Sequence, residues 1–253
     1  MKGACFCVLA LACTFTAQAH ADQNAGFSGS LALTTDYRIR GVSQNNRELT
    51  PEGEIDWNGD SGWSLDARAF KVNFQDHQHT SLELDFLAGR QFVIDGTTLL
   101  VQATYYAYPD HSRAGGAPRY SLFEASGTAT HTWGQWTPSV FIAWSPDYFG
   151  ETGKAEYVAL GLAYQFNDWL SVSADAGEQW IAQFDGEPRS GFPYANWDLG
   201  LTATHRAFSL DVRYVATSLS QGQCLRTQGG SYWCAAGVIA TLSFAIGHSD
   251  SPQ

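Results

Sequence analysis

Residues 62–70 read GWSLDARAF, and apolar and polar side chains alternate along this stretch. Because successive side chains of an extended strand point to opposite faces, the apolar residues from Trp63 to Ala69 share one face and the charged residues Asp66 and Arg68 share the other. The same alternation recurs around 82–87, 196–202 and 210–215, and the chain closes with GVIATLSFAI at 237–246. A period of two over most of the chain predicts β structure.

Segments of about ten residues with this period follow one another from end to end. We predict twelve strands, near 27–40, 51–58, 62–72, 81–93, 97–108, 119–133, 136–145, 155–167, 169–181, 193–205, 207–218 and 235–246. Short turns at 58–62, 94–96, 133–136, 167–168 and 205–207 alternate with longer polar loops at 41–50, 72–80, 109–119, 146–154, 182–192 and 219–234. This alternation predicts an antiparallel up-and-down chain with both ends on one side.

A soluble barrel or sandwich would also alternate, with its apolar face inward. Aromatic residues at the strand ends favour a membrane barrel instead, because amphipathic rings collect at bilayer interfaces. Trp63 and Trp133 lie beside short turns, whereas Tyr108 and Tyr148 lie beside long loops. The strand lengths are close to the ~9–11 residues that a tilted strand needs to cross a bilayer. We therefore predict an all-β fold, a closed antiparallel up-and-down transmembrane β-barrel of about twelve strands in the outer membrane.

The first 21 residues have the features of a secretory signal peptide. Lys2 supplies the positive charge, Ala4 to Ala12 the apolar core, and Ala19-His20-Ala21 the cleavage site. We predict domains of 1–21, the signal peptide, and 22–253, the barrel. A lipid-modified Cys13 is the weaker alternative, because Ala10, three residues before it, is not a large aliphatic residue.

Charge and cysteine content narrow the function. The chain carries 25 acidic and 14 basic residues, a formal charge of −11, without a basic run, which argues against nucleic-acid binding. Cys224 and Cys234 are the cysteines after the leader. In an oxidising compartment we predict a disulfide between them, with zinc binding as the rival. We expect no cofactor. The expected partners are outer-membrane lipids, small solutes and the barrel-assembly machinery. The sequence leaves open whether the protein forms a homo-oligomer.

Charged residues on the polar face are predicted to line the lumen of such a barrel. We expect charges of opposite sign to pair there across strands. The predicted pore-lining residues are Asp36, Arg38, Arg40, Asp66, Arg68, Glu83, Asp85, Asp198, Asp211 and Arg213. Acidic residues outnumber basic ones on the inward face, so the lumen is either a cation-preferring passage or a salt-bridged plug.

Two motifs resemble those of the TorF-like porin family. They are DYRIRGVSQNNRELTPEGEIDW at 36–57 and WSPDYFGETGK at 144–154. The resemblance runs from about residue 27 to 246 and implies a small Gram-negative outer-membrane barrel acting as a porin. The chain departs from the usual ending of such barrels on an aromatic residue, because nine residues follow Phe244. This departure implies either that the assembly signal is internal or that the ending of the family is extended here.

Other classes of function have weaker support. An outer-membrane enzyme needs a base beside a nucleophile, and nothing around His131 supports one. The segment Asp76-His77-Gln78-His79 is the best metal candidate, but it lacks a defined third ligand. We predict neither an enzyme nor a metal site. The remaining alternative is a plugged barrel that acts as a surface binding, adhesion or structural protein through its long loops.

Overall fold

The structure, a computed structural model, describes residues 26–184 and 187–247, with the side chains of 183–192 excepted. The predicted signal peptide and the last six residues lie outside this part of the chain. The strands are β1 Gly26–Thr34, β2 Arg38–Ile39, β3 Val42–Ser43, β4 Thr50–Asn58, β5 Trp63–Lys71, β6 Leu82–Ile94, β7 Thr97–Ala107, β8 Leu122–His131, β9 Trp136–Ser145, β10 Ala155–Asn167, β11 Leu170–Phe184, β12 Glu187–His205, β13 Phe208–Thr217 and β14 Gly237–Gly247.

Twelve of these strands close into one antiparallel barrel. Each strand pairs with its neighbour along the chain, and β1 closes the ring by pairing with both β4 and β14. The short β2 and β3 form a separate hairpin. The predicted barrel of twelve strands is confirmed, and β9 and β10 have the predicted bounds. Among the described residues no helix is long and apolar enough to cross a membrane.

The barrel carries its apolar side chains on the outside. On β13, Leu210, Val212 and Tyr214 are exposed, whereas Asp211 and Arg213 between them are buried. The other strands repeat this arrangement, which is the reverse of a soluble barrel. Trp133, 78% exposed, stands at a short turn. An outward apolar band with aromatic residues at its edge is the surface that a bilayer requires.

The first strand was predicted to run to residue 40, and this was wrong. Strand β1 ends at Thr34, and residues 35–49, here called the infolded loop, leave the sheet and fold back into the barrel. Arg40 and Gly41 take left-handed backbone conformations, with φ of 49° and 82°. Two successive residues of this kind form the turn between β2 and β3, so the alternating charges could not continue one barrel strand.

The prediction of a loop at 182–192 was also wrong. There β11 and β12 continue as a paired hairpin, through Phe184 and from Glu187. The final long loop instead contains a helix, α1 Gln221–Gln228, which begins at a Ser220 capping box and ends at Gly229. The predicted disulfide is present between Cys224, within α1, and Cys234, with Cα atoms 5.9 Å apart.

Candidate functional site: the lumen and the infolded loop

The infolded loop is held together at its base by Asp36. This carboxylate accepts hydrogen bonds from Arg38 Nε at 2.7 Å and from Ser43 Oγ at 2.6 Å, and Arg47 lies 3.8 Å away. Asn45 links the far part of the loop to β4 through Thr50 Oγ1 at 2.6 Å. Charge-assisted contacts of this kind give the loop a defined conformation without a long sheet.

Tyrosine hydroxyl groups attach the loop to the wall of the barrel. The ring of Tyr37 stacks on Phe70 of β5, with centroids 4.4 Å apart. Its hydroxyl donates to Glu83 Oε1 at 2.7 Å, and Tyr108 donates to the other oxygen of Glu83 at 2.6 Å. Glu83 is fully buried, and both of its oxygens accept a hydrogen bond. The loop is therefore fixed against β5 and β6.

Arg40, near the tip of the hairpin, spans the lumen. Its Nη2 atom donates to Glu124 Oε2 on β8 at 2.6 Å, and its Nη1 atom donates to Gln179 Oε1 on β11 at 2.6 Å. The guanidinium also lies over the ring of Tyr157 on β10, 4.4 Å from its centroid. These strands lie on the far side of the closed ring from β1. Arg40 thus ties the loop to the opposite wall.

Gly41 is needed where the loop passes the rim. Its φ is +82°, and a Cβ atom there would lie 2.5 Å from Thr217 Cγ2 and 3.0 Å from Asn196 Cβ. Any other residue would meet both backbone strain and a clash.

Nearer the short turns, the lumen carries two clusters of acidic residues, each with one arginine. On one wall, Arg68 of β5 donates to Glu54 of β4 at 2.6 Å, and Asp85 of β6 is the cross-strand neighbour of Arg68. On the other wall, Arg213 of β13 pairs with Asp198 of β12 and, at 3.2 Å, with Asp211.

The two clusters face each other across the lumen. In the closed ring, β5 and β11 are six strands apart in either direction. Asp175 of β11, 4.0 Å from Arg213, extends the second cluster to the strand opposite Arg68. A Cβ atom on Gly200 would lie 2.5 Å from Arg213 Cζ, so this glycine lets the guanidinium lie flat along the wall. In both clusters the carboxylates outnumber the guanidinium, so the central lumen is acidic.

Aromatic rings from four long loops pack together at the mouth. Phe74 lies at the centre, with ring centroids 5.6 Å from Tyr120, 5.2 Å from Phe149 and 6.5 Å from Trp233. Phe149 belongs to the second TorF-like motif, and its role in this cluster is structural. The rings lie beside the infolded loop and hold the long loops together.

A polar network borders this cluster. Asp76 accepts from Thr80 Oγ1 at 2.8 Å and from the Thr80 backbone at 3.0 Å, and His111 Nδ1 lies 3.0 Å from the same hydroxyl. Burial raises the pKa of the Asp76 carboxyl, but the two Thr80 hydrogen bonds, Tyr120 and the nearby His111 outweigh it, so this pKa is lowered. Burial and the Asp76 charge raise the pKa of Tyr120 to about 12.

All ten predicted pore-lining residues are buried or partly buried in the structure, away from the exposed apolar face, and their place in a pore stays a prediction. Asp36, Arg38 and Arg40 are on the infolded loop, and the other seven are on barrel strands. The predicted pairing across neighbouring strands is present at Arg68–Glu54 and Arg213–Asp198. Glu52, Glu124 and Gln179 are also buried among these side chains, and they were not predicted. Glu52 shares the alternation of Glu54 and could have been found, whereas the two partners of Arg40 depend on how the loop folds.

The histidine-containing segment does not form a metal site in the structure. Asp76 approaches His111, with 3.8 Å between Oδ2 and Nδ1, and it does not form a set of metal ligands with His77 and His79. Within 26–184 and 187–247, no three side chains of His, Cys, Asp or Glu are placed to hold a metal ion. His131, at the end of β8, lies 3.0 Å from Thr97 Oγ1.

The family is decided by a match over residues 18–245, which covers most of the chain. The matching family is described as a bacterial protein of unknown function, Gcw_chp. The chain belongs to this family. That description names no activity, so the porin role implied by the TorF-like motifs is a proposal. No curated protein matches the chain.

Solved structures with the same architecture include outer-membrane channels. The NanC porin is 6% identical, with a TM-score of 0.55, over 88% of this chain and 100% of that one. The KdgM porin is 7% identical, with a TM-score of 0.54, over 88% and 99%. The COG4313 outer membrane channel from Pseudomonas putida F1 is 11% identical, with a TM-score of 0.55, over 91% and 98%. At such identities the likeness shows the fold alone, which is that of outer-membrane channel barrels.

Proposed function

We propose that the protein is an outer-membrane porin that allows passive diffusion of small polar or cationic solutes. The observation that carries this proposal is the pair of acidic clusters that face each other across a closed, lipid-exposed barrel. An enclosed charged lumen gives ions a polar path through an apolar bilayer. The TorF-like motifs support the same role, and the chemistry needs neither a cofactor nor a covalent step.

The acidic excess makes cations the preferred solutes. A ring of carboxylates raises the local concentration of cations and repels anions. All ten predicted lumen residues belong to the proposed pathway, with Arg40 at its narrow part. In this proposal residues 1–21 are removed on export, both termini of the mature 22–253 chain are periplasmic, and the long loops face outward. The predicted lipid and assembly-machinery partners follow from this location.

The test is the current through the refolded protein in a planar lipid bilayer under a salt gradient. Stepwise currents whose reversal potential shows a preference for cations support the proposal. Absence of current from a fully inserted, heat-modifiable barrel overturns it.

A second candidate is a closed barrel that serves as a surface binding or structural protein. The observation that favours it is the Arg40 bridge to Glu124 and Gln179, which ties the infolded loop across the lumen. Exchange of the long loops other than the infolded loop distinguishes the two roles, because it removes partner binding in a surface protein and leaves ion flow unchanged in a porin.

A further inference from the structure

The inward face of β4 carries a row of three carboxylates. Glu52, Glu54 and Asp56 are alternate residues, and their side chains all point into the lumen. Because a strand rises about 3.3 Å per residue, neighbouring Cα atoms in this row are about 7 Å apart. The row starts beneath the infolded loop and runs toward the short-turn end of the barrel.

The guanidinium of Arg68 is the positive group beside this row and its acidic neighbours. Arg68 donates to Glu54 at 2.6 Å, and Asp56 follows Glu54 on the same face of β4. Asp66 is also the direct cross-strand neighbour of Asp56, and Gln102 donates to it at 3.5 Å. Carboxylates in contact repel one another unless a proton or a cation lies between them. The row is therefore short of positive charge.

Glu52 is the carboxylate of this row that most clearly lacks a partner. It is 3% exposed, and neither of its carboxylate oxygens has a hydrogen-bond partner in the structure. Its acidic neighbours already have theirs, since Glu83 accepts from Tyr37 and Tyr108 and Glu54 accepts from Arg68. A buried carboxylate with no partner is strongly unfavourable, because nothing replaces the water that it loses. A cation supplied from solution would remove this cost.

The arrangement of the carboxylates identifies the kind of cation. In the part of the chain that the structure describes, no three acidic side chains converge on one point as the ligands of a metal ion would. The carboxylates lie along a line, so the cation that fits them has several positive groups at intervals along a chain. Linear polyamines carry ammonium groups separated by short alkyl segments, and each ammonium can donate to one carboxylate.

We propose that the acidic row Glu52–Glu54–Asp56 binds linear polyamines, an inference that rests on the proposed function of the lumen as a solute passage. The ligand enters at Asp56 and Asp66, which are only partly buried, and its leading ammonium group binds Glu52 at the closed end. Onward passage past Glu52 requires the infolded loop to move.

The test uses spermidine as the probe in two measurements. The first is the spermidine concentration that halves the single-channel current of the refolded protein in a planar bilayer. The second is spermidine binding to the detergent-solubilised protein by calorimetry at low ionic strength, which needs no current. The variant is Glu52→Gln/Asp56→Asn, which leaves the Arg68–Glu54 pair intact. The control is Asp175→Asn, which removes one lumen charge on the opposite wall.

We expect the double variant to weaken both block and binding by about tenfold, equivalent to roughly 1.4 kcal/mol. The control should change either by less than about twofold. Equal effects of the variant and the control would overturn the inference, because they would show a diffuse charge effect. Unchanged binding in the variant would also overturn it, because Glu52 would then be a protonated, structural residue. A silent barrel that still binds spermidine through this row rejects the porin role and keeps the site. A conducting barrel that does not bind spermidine keeps the porin role and rejects the site.

Discussion

The guanidinium of Arg40 and the carboxylate of Glu124 meet at 2.6 Å, although Arg40 belongs to the loop after β1 and Glu124 to β8 on the far side of the barrel. Both side chains are buried. The contact joins the infolded loop to the opposite wall of the barrel and crosses the lumen.

Removal of this contact should widen the path. In Arg40→Ala/Glu124→Gln both charges are lost, so no unpaired buried ion remains. We expect a higher single-channel conductance, by about twofold or more, with the barrel still folded. The readout is conductance in symmetric salt.

The matched control is Arg119→Ala, which removes an exposed pair with Asp147 at 2.5 Å in the outer loops. Surface pairs of this kind contribute about 0–1 kcal/mol, so its conductance should equal that of the wild type. If the double variant conducts no better than this control, Arg40 does not restrict the pathway.

Neutralising lumen acids should change ion selectivity. In Asp66→Asn/Asp85→Asn/Asp211→Asn, carboxylates on both walls are lost, and the reversal potential under a salt gradient should move toward zero because cations are attracted less. Glu156→Gln, outside the lumen on β10, serves as the control. An unchanged selectivity in the triple variant would remove these residues from the conducting pathway.

The disulfide should matter for the last outer loop more than for the barrel. Cys224→Ser/Cys234→Ser removes a constraint that closes a short loop, worth about 2–3 kcal/mol in the general case. We expect residues 219–236 to be cleaved faster by protease, while the shift in gel mobility on heating stays as in the wild type. Loss of that shift would mean that the barrel itself depends on the disulfide.

The outer loops should loosen in acid. The pKa of Asp76 is lowered in the folded state, so its contribution to loop stability is present above its ordinary value of 3.8 and is lost as the pH falls through the lowered value. Hydrogen exchange of 72–81 and 109–121 should therefore rise below about pH 4. Asp76→Asn should show faster exchange at neutral pH and no such rise. A rise that survives this substitution would assign the effect to another group.

The sequence predicted the barrel because alternation is a local property. Each strand from β4 onward repeats the pattern of Trp63 to Phe70, and the register follows from which face must meet lipid. The end of β1 was predicted wrongly for a physical reason. Residues 36 to 40 alternate as a strand would, but the chain leaves the sheet after Thr34, and left-handed conformations at Arg40 and Gly41 reverse it into the β2–β3 hairpin.

The partners of the infolded loop could not be predicted in the same way. Arg40 meets Glu124 and Gln179 only because a turn of the loop places it across the lumen, at sequence separations of 84 and 139 residues. No pattern of period two encodes such contacts. By contrast, the pairing of Arg68 with Glu54 follows from neighbouring strands and could be predicted.

The most direct test is the single-channel current of the refolded mature protein in a planar bilayer under a salt gradient, compared with that of Arg40→Ala/Glu124→Gln. A cation-selective pore narrowed by the infolded loop predicts stepwise currents, a reversal potential that favours cations, and larger steps in the double variant. Inserted, heat-modifiable barrels that stay silent in both forms would contradict it and leave a closed barrel that acts through its outer loops.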